Sequence, residues 1–120
     1  MEQQNCPVEI TLDLIGGKYK ALILWHLADG TLRFNELQKV IRSATPRVLT
    51  HQLRELEEQK LITRTVYPVV PPKVEYSMTD LGRSLMPILT EMRDWGAKYL
   101  RSKDSEPDCF MMHSDPETTQ

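Results

Sequence analysis

Apolar residues recur along this chain at two different periods. Val8, Leu12 and Ile15 form a short helical stripe behind Pro7, with Cys6 at the cap position and Gly16-Gly17 as the stop. The next run, "KYKALILWHLADG", carries Leu22, Ile23, Leu24, Trp25 and Leu27 and predicts a mostly buried helix closed by Gly30. "TLR" is a short strand or linker, and Phe34, Leu37, Val40 and Ile41 predict another short helix. In "SATPRVLTHQLRELEEQKLI", Thr45 is a suitable N-cap and Pro46 suits the first helical position. The helix predicted from Pro46 to about Gln59 carries Leu49, Leu53 and Leu56 on one face. Arg47, Thr50, His51 and Arg54 fall on the opposite face.

After Leu61 the period shortens to two. "ITRTVYPVV" and "KVEYSM" are rich in β-branched and aromatic residues and predict a hairpin with a proline-rich tip. On its second strand Val74, Tyr76 and Met78 share the inward face, while Pro71 and Pro72 stiffen the tip and remove donors from an exposed edge. The helical period returns in "DLGRSLMPILTEMRDWGAKYL", capped by Thr79, with Pro87 expected to kink it or loosen one turn. From Lys103 the pattern ends in a polar, acidic stretch, so residues 103–120 are expected to form a flexible tail behind a domain over 1–102. The fold class is α+β, mainly α: a helix-turn-helix, a β-ribbon wing, an N-terminal helix and a long C-terminal helix.

Charge sharpens this picture. The formal net charge is -2, which by itself argues against a nucleic-acid binder. The first 17 residues, however, carry three acids and no base, and residues 103–120 carry five acids against one lysine. Between them, residues 18–73 hold ten Lys/Arg against five acids. A basic middle is thus masked by an acidic head and tail, which suits a polyanion, although a solvated surface gives the same count.

The chemistry is concentrated on the helix that begins at Pro46. A major groove admits one α-helix, and residues near its N-terminus reach base edges. Arginine matches the O6/N7 pair of guanine, and threonine bonds either edge or touches a thymine methyl. Thr45, Pro46, Arg47, Thr50, His51 and Arg54 are therefore candidate DNA contacts, and no acid interrupts the stripe before Glu55. Arg33, Arg64 and Lys73 add positive charge on and beside the ribbon, for a phosphate backbone or the minor groove. The same face, simply hydrated or turned toward an acidic protein, would make a winged-helix interaction module instead.

At this point the chain resembles a known family. "CPVEITLDLIGGKYKALILWHL", "RFNELQKVI", "TPRVLTHQLRELEEQKLITRTVY" and "VPPKVEYSMTDLG", closing on "WG", are similar to the HxlR-type bacterial transcription regulators from Cys6 to about Gly96. The resemblance implies a winged helix-turn-helix that dimerises through its first and last helices and binds palindromic operators in double-stranded DNA; it acts as a repressor or an activator, with a repressor the expectation here. It departs from the family at Tyr19, where the turn usually reads GGKW. The final helix has more apolar face than so small a domain can cover, and dimerisation is a physical use for the excess. Leu12, Leu89, Met92, Trp95 and Tyr99 are the expected dimer contacts.

Two cysteines 103 positions apart form neither a metal knuckle nor a disulfide framework. A helix N-terminus favours an anionic thiolate, and Glu9 opposes it at Cys6. In some members of the resembled family a cysteine at the position of Cys6 senses quinones, aldehydes or oxidants; Cys109 is a weaker sensing candidate. "CFMMH" offers soft ligands without a full set, so no metal or other cofactor is expected. No phosphate loop or nucleophile–base pair with recognisable spacing points to an enzyme. No apolar run suits a membrane span or secretory signal, and the expected setting is the cytoplasm.

Overall fold

Leucines three and four residues apart, backed by polar residues, assemble a small helical core with one sheet against it. The computed structural model describes residues 6–113. Its elements are α1 (Pro7–Ile15), α2 (Lys20–Leu27), β1 (Leu32–Arg33), α3 (Phe34–Val40), α4 (Pro46–Glu58), β2 (Ile62–Tyr67), β3 (Lys73–Met78), α5 (Asp80–Arg83), α6 (Met86–Ser102) and a 3-10 turn (Phe110–His113). The sheet is antiparallel in the order β1-β3-β2. Leu32 pairs with Tyr76, and the β2–β3 hairpin runs from Ile62↔Met78 to Tyr67↔Lys73.

Leu49, Leu53 and Leu56 of α4 enter one core with Ile23, Leu24, Trp25 and Leu27 of α2 and Leu37 of α3. Tyr76 closes it from the sheet, with Val74 and Met78 packed beside it, as the alternation predicts. Thr45 caps α4, its Oγ1 accepting from the Val48 N–H at 3.2 Å, with Pro46 in the first turn. The helix ends at Glu58; two residues on, Lys60, with a left-handed φ of 64°, turns the chain into the wing, and the Leu61 N–H returns to the Leu56 carbonyl at 3.0 Å.

Three expectations change. The C-cap of α2 is Ala28, and Gly30, at φ 148°, closes the following turn instead. The long C-terminal helix is not one kinked rod: α5 stops at Arg83, and α6 restarts with Pro87 in its first turn. Proline there removes no helical hydrogen bond, because first-turn N–H groups have no helical acceptor. The segment after Ser102 also makes contacts: Arg93 Nη1 donates to the Met111 carbonyl at 3.2 Å, and Met111 packs on the core. Residues 114–120 of the expected tail lie outside the described residues, as do 1–5 of the expected domain. Among the described residues no helix is long and apolar enough to cross a membrane.

Candidate nucleic-acid interface

The outward face of α4 follows from the burial of its leucines. Leu49, Leu53 and Leu56 are at most 1% exposed, so residues half a turn away must face solvent. Arg47, His51 and Arg54 are exposed and Thr50 is half-buried. With Pro46, Val48 and Gln52 they line one continuous open surface at the start of the helix. A second hollow, of about 240 Å³, joins Thr50 and Arg54 to Glu57, Arg64 and Tyr76, so the helix face runs on into the wing. Across the sheet, Arg33 and Lys73 share a hollow with Phe34, Asn35, Pro72 and Val74. The structure thus divides the expected basic residues into two groups, Arg47, His51, Arg54 and Arg64 on one side and Arg33 with Lys73 on the opposite face of the sheet.

His51 and Lys73 are less free than a bare helix wheel and hairpin suggest. His51 Nε2 lies 3.2 Å from Glu55 Oε2, one turn along. Lys73 Nζ lies 3.6 Å from Glu75 Oε2 and 4.9 Å from the centre of the Tyr67 ring. The Tyr67 phenol hydrogen-bonds to the same Glu75 carboxylate, which raises its pKa. Lys73 is therefore tied into a Tyr67–Glu75–Lys73 cluster at the distal end of the hairpin ladder.

The orientation of α4 is set by polar ties that the sequence reading did not anticipate. Lys20, only 5% exposed, sends Nζ to Glu55 Oε1 at 3.0 Å. The hydrogen bond from Lys20 holds the Glu55 carboxylate below its usual pKa, followed by the charges of Lys20 and His51, against the opposing effect of burial. Gln52 Oε1 accepts the Tyr19 N–H at 2.9 Å, and the Tyr19 hydroxyl donates to the Ser43 carbonyl at 3.0 Å. A Cβ on Gly17 would stand 3.0 Å from Gln52 Oε1 and from the Lys20 side chain, so this close approach favours glycine. The "GGKYK" turn thus clamps α4 from behind its exposed face. Tyr19 is itself buried and adds a hydrogen bond to the loop before α4.

Among the described residues the rest of the basic surface is matched by an apolar one. Ile88, Met92, Trp95 and Tyr99 stand out along α6, with Trp95 67% exposed and stacked on Tyr99 at 5.5 Å. Val8 and Leu12 are exposed on α1. Leu89 departs from the expectation: it is 2% exposed and belongs to the chain's own core, so it is not on this outer stripe. Cys6 heads α1 with an exposed thiol that makes no side-chain cap hydrogen bond, and Cys109 is also exposed; both are free thiols.

Residues 14–104 match the model of the HxlR-like helix-turn-helix family. The chain belongs to that family. It is 57% identical over 96 residues to the HTH-type transcriptional regulator YdeP of Bacillus subtilis (strain 168), covering 80% of this chain and 75% of YdeP. Among solved structures, the redox regulator HypR in its oxidized form is 55% identical, with a TM-score of 0.72 over 76% of this chain and 94% of HypR. The HTH-type transcriptional regulator ytcD is 47% identical, with a TM-score of 0.77 over 81% and 99% of the two chains. This HxlR-like protein is accordingly a DNA-binding transcription regulator and not an enzyme.

Proposed function

We propose that the protein is a homodimeric repressor that places α4 in the major groove of each half of a palindromic operator. The observation that carries this reading is the outer face of α4, where Arg47, Thr50, His51 and Arg54 stand together at the capped N-terminal end of a helix clamped from behind. Arg47 and Thr50 are assigned to base edges, and Thr45 and Pro46 bring the helix N-terminus near a phosphate. Arg54, Arg64 and Arg33 follow the backbone beside it. The Glu55 contact assigns His51 a supporting part, and Lys73 is a secondary contact for the same reason. An operator-binding regulator works where the chromosome is, in the cytoplasm.

The two subunits join through the apolar stripes of α1 and α6, with Leu12, Met92, Trp95 and Tyr99 as contacts and Ile88 taking the place expected of Leu89. A stripe this apolar is costly to leave in water, and a two-fold axis between α6 helices is a simple way to cover it. Cys6 heads one of those helices. An oxidant or electrophile that modifies its exposed thiol would act at the dimer seam and thereby on the spacing of the two α4 helices; the kinship with the redox regulator HypR supports this. Selection from random duplex DNA tests the assignment. A palindromic consensus with half-sites one helical turn apart, bound by two subunits, is expected. Recovery of unrelated sequences, or binding of single subunits, would refute it.

A further inference from the structure

The outer face of α4 has two flanks, and the wing lies along one of them. By helical spacing Thr50, Arg54 and Glu57 fall on the wing side, where they share a hollow with Arg64. Val48, Gln52 and Glu55 fall on the other side, against the "GGKYK" turn. A helix seated in a major groove is bordered by a phosphate row on each side. Arg64 supplies a cation on the wing flank. On the turn flank the polar groups are those of Gln52 and Lys18, neither of which belongs to the basic stripe.

The Gln52 amide is committed at one end. A backbone N–H only donates, so the atom facing the Tyr19 N–H at 2.9 Å is the amide oxygen, Oε1. The amide nitrogen has no acceptor among the described residues, and Gln52 lines the open surface beside Val48. Glutamine reads adenine with its donor and its acceptor together. Gln52 has its donor left, which suits a phosphate oxygen and not an adenine edge.

Lys18 is pinned over the same seam. Its Nζ stands 5.4 Å from the centre of the Tyr19 ring. The Tyr19 hydroxyl donates to the Ser43 carbonyl at 3.0 Å, two residues before the Thr45 cap of α4. The Ser43 side chain first, and then the charge and hydrogen bond of Lys18, lower the pKa of this phenol against the effect of burial. That hydroxyl stands at the position where the turn departs from the GGKW of the resembled family. Among the described residues Lys18 forms no ion pair. The acid of this flank, Glu55, is taken up by Lys20 at 3.0 Å and by His51 at 3.2 Å. An ammonium without a counter-ion and a fixed amide donor thus border one turn.

We propose that Lys18 and the Gln52 amide together hold one phosphate of the duplex on the flank of α4 opposite the wing. Lysine suits this place because it meets phosphate as a point charge. With Arg64 on the other flank, the contact fixes how α4 is seated between the two phosphate rows. The inference rests on the operator-binding reading above and adds two residues to it.

The test uses the full-length protein and an operator recovered by selection from random duplex DNA. Phosphates of that operator are replaced one at a time by uncharged methylphosphonate. Binding of the wild type, Lys18→Gln and Gln52→Glu is measured across a range of salt. Gln52→Glu keeps an acceptor for the Tyr19 N–H and puts a carboxylate oxygen in place of the donor. At one position per half-site, methylphosphonate should weaken the wild type about tenfold and leave Lys18→Gln almost unaffected. At the same position it should relieve part of the loss in Gln52→Glu. On unmodified DNA Lys18→Gln should lose affinity evenly across sequences, with a salt slope shallower by about one per subunit. Wild-type affinity and slope in Lys18→Gln, or a loss confined to one base position, would overturn the assignment. So would sensitivity of Lys18→Gln to every methylphosphonate that weakens the wild type, or a Gln52→Glu loss that none relieves. A wild type that selects no consensus at all would instead overturn the operator reading. Lys18 is exposed, so circular dichroism should show its variant folded as the parent.

Discussion

Replacing Glu55 by glutamine should separate a buried charge from its counter-ion and loosen the mounting of the recognition helix. The structure sets the magnitude. Lys20 Nζ and Glu55 Oε1 are 3.0 Å apart, and at an effective dielectric near 20 that is an attraction of about 5 kcal/mol before desolvation. The lysine side chain is 6% exposed and the glutamate 39%, so only one end of the pair is shielded from water. Breaking a fully buried pair costs about 3–5 kcal/mol and a surface pair well under 1. Glu55→Gln keeps an acceptor for Lys20 and should fall between, near 2 kcal/mol. Lys20→Met removes the buried charge and leaves a carboxylate that water and His51 can reach, so its cost should be under about 1 kcal/mol. Glu55→Gln added to Lys20→Met should then cost almost nothing, giving a coupling near 2 kcal/mol. Urea unfolding at fixed protein concentration measures all three differences. A coupling below about 0.5 kcal/mol would refute the reasoning, because the pair would then behave as solvated surface charges. The pH dependence has a definite sign. Glu55 has a lowered pKa in the folded protein, so its contribution is complete above the ordinary carboxylate value and is lost as pH falls through the folded one. The gap between wild type and Glu55→Gln should therefore be constant near neutrality and shrink below roughly pH 4.3.

Other outcomes follow from the same contacts. Tyr19→Phe keeps the buried ring and loses the hydrogen bond to the Ser43 carbonyl, so urea unfolding should show a loss of about 1 kcal/mol. Trp95→Glu should place a charge in the α6 stripe and shift sedimentation from two subunits to one, with operator affinity falling in step; a dimer that persists would move the interface elsewhere. Cys6→Ser should abolish any response of operator binding to diamide, and a normal response in the variant would remove Cys6 from sensing.

Local signals made most of the fold legible. The change of period at Ile62, the Thr45-Pro46 cap and the three leucines of α4 each follow from residues a few positions apart, and each appears where it is expected. The face of α4 was legible for the same reason, since burying three leucines leaves one side for Arg47 and Arg54. What could not be read depends on contacts between distant positions. Nothing beside Lys20 marks it as buried, because its partner lies 35 positions away on another helix. Leu89 and Met92 belong to one broad apolar arc, and only the seating of α6 on α2 decides that the first faces the core and the second faces out. Lys73 is the exception: Glu75, two residues on along the same strand face, was a legible partner, and only Tyr67 reaches it through the hairpin pairing. The composition of the last residues suggests disorder, but Met111 is apolar and returns to the core beside Arg93.

The central claim is that the outer face of α4 reads base edges, and Arg47 tests it most directly. Affinity of wild type and Arg47→Ala for the selected operator, for each single-base variant of it and for unrelated DNA should be measured across a range of salt. The expected result is a steep linear fall of log affinity with log salt for the wild type. Arg47→Ala should lose about 1–3 kcal/mol on the operator and relax preference at one base position per half-site. An equal loss on every sequence would make Arg47 a phosphate contact, and undiminished affinity and specificity in the variant would contradict the assignment of this face to the major groove.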